Sequence, residues 1–506
     1  MAVLTAPAPE LTHTRRWWIL AVLCLSLFMV VVDNTIVNVA LPSLSLELGA
    51  STTGLQWIVD AYTLVFSALL LAGGHLGDRF GRRRALQLGL VVFAATSTLA
   101  ALTTSTAQLI GARALMGVGA ALIFPATLAI IVAVFTDVRE RAAAIGIWSG
   151  VTGLAVAAGP VTGGLLLEHF WWGSIFLVNV PVAALALVAG WALVPDSRDP
   201  EPGRLDRVGL LTSVVAVGLA IWAIIEGGHR GWTSPEILLA GAASVALLAW
   251  FVRYEARLAH PLLDVRLFGN PRFSAASLAI ASAFFGLFGF IFLITQYMQL
   301  VLGYSPLEAG LRTVPFAVTT GVLSPVSIVL MRRVGTTRVV AAGLGLMSLG
   351  FVMASTLDVD SAYVGPVLAS MVTMAAGLGL TTSPATEAIM GALPTAKAGV
   401  GSAVNDTTRE LGGTLGVAVV GSVFASIYGP EVVEALRGQP AEVVAAAEES
   451  MGAAVALSAQ VPGGEAILAA AQEAFMSGFA AGSLVAAAAT ALGALIALRW
   501  LPPRAR

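Results

Sequence analysis

The sequence has very little of what disulfide-rich proteins, metal sites and nucleotide sites depend on. Cys24 is its single cysteine and Lys397 its single lysine, so a disulfide framework and a cysteine metal centre are excluded. Because Lys397 is followed by alanine, the chain also lacks a phosphate-binding G-x-x-x-x-G-K-[ST] loop. The five histidines fall at or near loops. We therefore predict no metal, no cofactor, no nucleic-acid partner and no enzymatic activity.

Charge is equally scarce, at 11% of the 506 residues, against roughly 25% in a typical soluble domain. Hydrophobic residues make up 58%, in runs long enough to cross ~30 Å of hydrocarbon. We predict an all-α membrane protein with about fourteen spans rather than a β-barrel, whose signal alternates. The predicted spans are 17–39, 57–77, 85–103, 107–134, 142–167, 173–194, 208–226, 235–253, 272–302, 309–331, 337–356, 363–390, 402–427 and 476–499.

Arginines predict how the spans are oriented, because basic residues concentrate in cytoplasmic loops. The breaks on one side hold Arg79, Arg82, Arg83, Arg84, Arg139, Arg141, Arg198, Arg204, Arg207, Arg257, Arg266, Arg332, Arg333 and Arg338, and the tail holds Arg499, Arg504 and Arg506. We predict that this side and both termini are cytoplasmic. The near absence of lysine beside abundant Ala, Gly and Arg indicates a GC-rich bacterial genome. We therefore predict a multi-pass protein of the bacterial cytoplasmic membrane.

An internal repeat predicts how the spans are grouped. The break after the second span reads "DRFGRRR" and the break after the tenth reads "MRRVGTTR", at matching places in two six-helix halves, the plan of many transporters. We predict an N-terminal six-helix bundle (1–195), two inserted transmembrane helices with cytoplasmic linkers (196–271) and a C-terminal six-helix bundle (272–506). The last unit includes a long extracytoplasmic loop, 428–475.

Charged residues inside apolar runs are the candidate site residues, because placing a charge in hydrocarbon costs free energy that a functional role explains. Asp33 lies within "MVVVDNTIVNVALP", Arg113 within the fourth span and Glu387 within the twelfth. Asp60 lies near the outer end of the second span, where that span begins. Asp33 is a candidate partner for Arg113. It either exchanges protons and binds cations or only holds two helices together, and Asp60 either joins the site or sits at the membrane interface.

Five stretches in order then resemble the motifs of the major facilitator superfamily, specifically its fourteen-helix drug:H+ antiporter branch. They are "VVDNTIVNVALP", "GGHLGDRFGRRR" (73–84), "LIGARALMGVGAA" (109–121), "GLAVAAGPVTGG" (153–164) and "IMGALPTAKAGVGSAVNDTTRELGGTLGVAVVGS" (389–422). The resemblance covers essentially the whole chain. It implies the major facilitator fold, two six-helix bundles with two extra helices.

The resemblance also assigns roles to residues. The signature loop, which acts in the conformational change, comprises Gly74, Gly77, Asp78, Arg79, Gly81, Arg82 and Arg83. Asp78 is expected to dock near Asn405 and Asp406 in one transport state; in the second copy of the loop Arg332 stands at the matching position. The antiporter motif comprises Gly153, Gly159, Pro160, Gly163 and Gly164, small residues that allow helices to touch and a proline that kinks the helix.

The function implied is proton-coupled export of lipophilic, cationic drugs or dyes by alternating access. The partners are then small lipophilic molecules, protons and membrane lipids, with the proton gradient as the energy source. A dedicated exporter of one endogenous metabolite or antibiotic is an alternative. A non-transporting receptor or scaffold is a second alternative, and fold alone also allows a solute importer.

Overall fold

The architecture comes from a computed structural model that describes residues 12–198, 206–258, 261–393, 398–461 and 463–502. Arg204, Lys397, Arg504 and Arg506 lie outside these residues. The described chain is helical, and fourteen of its helices are long and apolar enough to cross a membrane. The predicted all-α class and the number of spans are therefore confirmed.

We number these spans in chain order. They are α1 (His13–Leu48), α2 (Thr52–Phe80), α3 (Arg82–Ala101), α4 (Thr106–Val134), α5 (Val138–His169), α6 (Ser174–Leu193), α7 (Arg207–Arg230), α8 (Pro235–Glu255), α9 (Pro271–Val301), α10 (Pro306–Val334), α11 (Thr336–Ala354), α12 (Tyr363–Gly391), α13 (Ala398–Ala435) and α14 (Gly464–Trp500).

Polar caps mark where several spans begin. The Ser51 hydroxyl accepts from the Gly54 amide at the start of α2, and the Asp137 carboxylate accepts from two amides at the start of α5. Ser305 and Glu308 form a capping box that opens α10. Such caps satisfy amide groups that have no partner in the first helical turn, so the short polar breaks between apolar runs define the helix ends.

The predicted long loop at 428–475 is wrong in its bounds. Helix α13 continues to Ala435 and α14 already begins at Gly464. Between them lie two short helices, Ala441–Glu449 and Met451–Ser458. Tyr428 is buried, and its hydroxyl donates to the carbonyl of Ala447 at 2.9 Å. Helical structure therefore extends beyond the apolar run, and these segments pack against each other.

The two copies of the repeated loop adopt the same turn. Gly81 ends α2 and begins α3 with φ +113°, and Gly335 ends α10 and begins α11 with φ +92°. Only glycine reaches such angles at little cost. We call the end of the bundle where these loops lie the arginine-rich end. The described residues do not establish which side of a membrane it faces, so its cytoplasmic placement stays a prediction.

Contacts between the first half (α1–α6) and the second half (α9–α14) gather at the opposite end of the bundle. The Gln299 amide donates to the Val39 carbonyl at 2.9 Å, and the Gln56 amide donates to the Ala418 carbonyl at 3.1 Å. Ser45 bonds to Ser450 at 2.9 Å between their hydroxyl oxygens. These bonds close the bundle at the end away from the arginines.

The helix pair α7–α8 packs against both halves. Ile221 and Ile225 of α7 form a buried apolar cluster with Ala418 of α13. The Trp57 indole of α2 donates to the Glu226 carboxylate of α7 at 3.3 Å. Helix α7 therefore lies against α2 and α13, beside the seam between the halves, and α8 packs on α7 through Ile237 and Ala240.

Candidate transport site

A fully buried ion pair connects α1 and α4. Nη1 of Arg113 lies 2.6 Å from Oδ2 of Asp33, and both side chains have 0% exposure. The amide of Asn179, on α6, donates to the other carboxylate oxygen at 2.7 Å. Both oxygens of Asp33 are thus satisfied, by a cation and by a neutral amide. Charge-assisted bonds of this length are about twice as strong as neutral ones, so three helices of the first half are joined at this point.

Arg113 makes further contacts with α2. Its Nε donates to the Ile58 carbonyl at 3.2 Å, and its guanidinium lies 4.2 Å from the centre of the Tyr62 ring. Nη2, by contrast, is buried without a hydrogen-bond partner among the described residues. An unsatisfied donor on a buried cation carries a free-energy cost. One donor therefore remains for a water, a substrate oxygen or a rearranged side chain.

Asp60 is the second buried acid of the first half. It lies on α2 between Ile58 and Tyr62, the two α2 residues described above as contacting Arg113, and its exposure is 0%. Within the described ranges neither of its carboxylate oxygens has a hydrogen-bond partner. Asp60 is thus buried inside the protein, and its part in the transport site stays a prediction. Buried polar groups normally have partners, which makes Asp60 exceptional.

A third acid, Glu410 on α13, was not identified from the sequence as a site residue. It is partly buried, and its Oε2 lacks a hydrogen-bond partner in the part of the chain that the structure describes. Its helix packs against α2 across the seam between the halves. The neighbouring Arg409 lies 4.6 Å from the centre of the Phe284 ring and 3.9 Å from Asp406. In the sequence, the only signal for Glu410 was a charged residue inside the stretch "NDTTREL" (405–411).

Glu387 does not join this group. It is exposed and lies one turn from the arginine-rich end of α12. Arg272 of α9 reaches the same turn, with Nε donating to the Ala388 carbonyl at 3.4 Å. Glu387 therefore lies one turn from the end of its helix, and its part in transport stays a prediction.

The signature loop is tied to its own half. The Asp78 carboxylate accepts from Arg82 at 2.8 Å, and Arg83 donates to the Trp191 carbonyl at 2.7 Å. Arg79 is exposed beside Phe80. The expected partners of Asp78 bond elsewhere, since Asn405 accepts from Thr386 at 3.2 Å and Asp406 pairs with Arg409. The latch between Asp78 and α13 therefore remains a prediction for another transport state.

Two further glycines of the loop, Gly74 and Gly77, lie against neighbouring residues with room for a side-chain carbon. A Cβ added to Gly74 would lie 3.5 Å from Pro125 of α4, and one added to Gly77 would lie 3.5 Å from Ala85 of α3. Both distances are ordinary van der Waals contacts. Gly81 differs, because its φ of +113° is one that other residues rarely adopt.

The antiporter motif on α5 divides into a packed part and an open part. A Cβ on Gly159 would lie 1.9 Å from the Thr35 hydroxyl of α1, and one on Gly163 would lie 2.8 Å from Ile36. A Cβ on Gly164 would lie 2.6 Å from the Pro306 carbonyl of α10. Gly153 has nothing within 4 Å of such an atom.

Pro160 completes the contact between the halves. Its carbonyl oxygen would lie 2.3 Å from a Cβ on Gly310 of α10. On one side the motif therefore packs against Thr35 and Ile36, which follow Asp33 along α1. On the other side it forms part of the closed end between the halves, which only small residues permit.

The fold and the buried site define a helical membrane transporter of two related halves. The family model of the Major Facilitator Superfamily matches residues 23–417. The chain belongs to this superfamily, which confirms the family recognised from its motifs.

Several similar proteins share most of this chain's length. The multidrug efflux pump LfrA of Mycolicibacterium smegmatis is 41% identical over 483 residues, 95% of each chain. The methyl viologen resistance protein SmvA of Salmonella typhimurium is 35% identical over 470 residues, 91% of this chain and 93% of SmvA. The tetracenomycin C resistance and export protein of Streptomyces glaucescens is 33% identical over 495 residues, 96% of this chain and 91% of that protein.

Solved structures share the fold at lower identity. An inward-facing bacterial homologue of the human lysosomal transporter Spinster superposes with a TM-score of 0.68 at 18% identity, covering 96% of this chain and 98% of that one. The inward-open xylose transporter XylE from E. coli gives 0.58 at 14% identity, covering 97% of each chain. At these identities the likeness describes the fold alone.

Proposed function

We propose that this chain exports lipophilic cations from the bacterial cytoplasm in exchange for protons. One observation carries the proposal: Asp33, Asp60 and Glu410 are buried or partly buried acids in the interior of the two halves, and only Asp33 has a fixed cation as its partner. Acids inside a membrane bundle mark ion and substrate pathways. The relatives named for multidrug efflux and methyl viologen resistance support the same class of substrate.

The two acids of the first half suit different tasks. Asp60 has no hydrogen bond to lose within the described ranges, so it can gain or release a proton without breaking a contact. Asp33 has to give up Arg113 before it is protonated. In this scheme a proton and a cation compete for the acids, and their differential affinity for two conformations drives exchange.

Alternating access accounts for the closed end. The bonds and glycine contacts between the halves lie at the end away from the arginines, around Gln299, Gln56 and Gly164. Releasing them would open that end. With the predicted cytoplasmic termini, this conformation is the one that loads substrate from the cytoplasm.

A dye assay tests this function. Cells expressing the chain should accumulate less ethidium than cells without it, and a proton uncoupler should remove the difference. Asp60→Asn replaces one unpaired polar group by another of the same size, so it should fold normally and lose the uncoupler-sensitive efflux. Asp360→Asn changes an exposed aspartate near the end of α11 and serves as the matched control. Full efflux by the Asp60 variant would remove this acid from the mechanism.

A second candidate is a dedicated exporter of one metabolite, favoured by the tetracenomycin C relative. Transport of one compound out of a chemically varied panel would support it. Transport of several unrelated lipophilic cations would favour the broad exporter.

A further inference from the structure

A cavity of about 690 Å³ lies at the arginine-rich end, away from the transport site. One wall is the loop between α10 and α11, and the other is the end of α14. The Thr337 hydroxyl donates to the Leu501 carbonyl and so joins the two walls. The cavity is therefore an open depression between two segments that bond to each other, rather than a gap beside one loop.

Positive charge lines this cavity. Arg333 lies in the last turn of α10, Arg338 in the first turn of α11 and Arg499 near the end of α14. All three are exposed, and none has an acidic partner in the described part of the chain. Helix α11 also begins here, and Gly335 supplies no side-chain cap for its first amides. Guanidinium groups and the first amides of a helix both bind phosphate oxygens.

The first copy of the loop shows what the second copy lacks. There Asp78 binds Arg82 at 2.8 Å, and Asp196 lies 3.9 Å from Arg84. With Gly81 and Gly335 superposed, the position of Asp78 is occupied by Arg332. Among the described residues, acids therefore pair with arginines of the first loop but not with those of the second.

We propose that this cavity binds the phosphate headgroup of an anionic phospholipid. Its rim carries Leu498, Trp500 and Leu501 beside the arginines, and the first two are more than half exposed, at 57% and 55%. Tryptophan at a helix end is typical of the membrane interface, and basic pockets between helix ends take lipid headgroups. A lipid satisfies the apolar rim and the arginines together, whereas a free phosphate ion satisfies only the arginines. The inference is independent of the transported compound.

Lipid binding to the full-length purified protein tests the proposal. Short-chain phosphatidylglycerol is titrated against the protein in neutral detergent, with adducts counted by native mass spectrometry. Arg338→Gln combined with Arg499→Gln should weaken binding roughly a hundredfold, since each lost charge-assisted contact is worth about tenfold or more. Arg253 is an exposed arginine of α8 that also lies at the arginine-rich end. The control Arg253→Gln should leave the affinity within about twofold of wild type.

Two further titrations identify the source of the phosphate. Phosphatidylcholine should bind much more weakly than phosphatidylglycerol, and inorganic phosphate should not displace the lipid. Unchanged phosphatidylglycerol binding in the double variant, or equal binding of both lipids, would overturn the proposal. Complete displacement by inorganic phosphate would assign the cavity to free phosphate and would overturn the proposal of a lipid headgroup.

Discussion

Separating Asp33 from Arg113 should reveal how much the buried pair stabilises the protein. Removing one partner of a buried ion pair typically costs about 3–5 kcal/mol, because the other charge stays buried and unpaired. In Asp33→Asn the arginine keeps the Ile58 carbonyl at 3.2 Å and the Tyr62 ring at 4.2 Å, and the new amide oxygen can still accept from Nη1. We therefore expect a loss at the lower end of that range, about 3 kcal/mol.

The reverse change should cost at least as much. In Arg113→Gln the carboxylate keeps only the amide of Asn179, at 2.7 Å. The double variant removes both charges, so its loss should be smaller than the sum of the single losses by about 2–3 kcal/mol, the coupling expected of residues in direct contact.

Unfolding in mixed micelles of neutral detergent and sodium dodecyl sulfate measures the four free energies of this cycle. All three variants should also lose dye efflux, because the pair lies at the proposed site. Additive losses in the cycle would show that the contact does not stabilise the fold. Wild-type efflux by the double variant would show that neither residue takes part in transport.

Two further predictions concern the closed end and the topology. Gly164→Ala forces α5 away from the backbone of α10 at a cost of about 1–3 kcal/mol. Spin labels at Glu47 and Asp360 should therefore move apart. The control Gly153→Ala, where the structure leaves open space, should not change that distance. An unchanged distance in the Gly164 variant would contradict the packing. A cysteine at the exposed Gln439, in a background without the native cysteine, should react with an impermeant thiol reagent in intact cells, and reaction only after permeabilisation would reverse the orientation.

Part of the candidate site could be predicted from the sequence, because charged residues stand out in apolar runs. Asp33 and Arg113 were each visible in this way, and the cost of burying them suggested a pair. Asn179 was not visible, because an uncharged amide near a helix start is unremarkable until tertiary contacts bring α6 against α1. Glu410 lies beside Arg409 in a polar stretch, where a charged residue is ordinary.

The predicted helix boundaries differed from the structure for a related reason. Hydropathy reports the part of a helix that crosses hydrocarbon, whereas α13 continues past it to Ala435. Glu431 and Glu434 in that extension resemble loop residues in sequence, although Tyr428 and Val432 on the same helix are buried. The turn at Gly335 was easier to predict, because its relation to Gly81 is a repeated pattern along the chain.

Transport by the purified protein in liposomes, with a pH gradient as the only source of energy, tests the proposed proton coupling most directly. A lipophilic cationic dye should move against the imposed proton flow, and its movement should stop when the gradient is collapsed. Liposomes with the Asp60→Asn variant should show no gradient-driven movement, whereas liposomes with the Asp360→Asn control should behave like the wild type. Dye movement that ignores the gradient, or that continues unchanged in the Asp60 variant, would contradict the account.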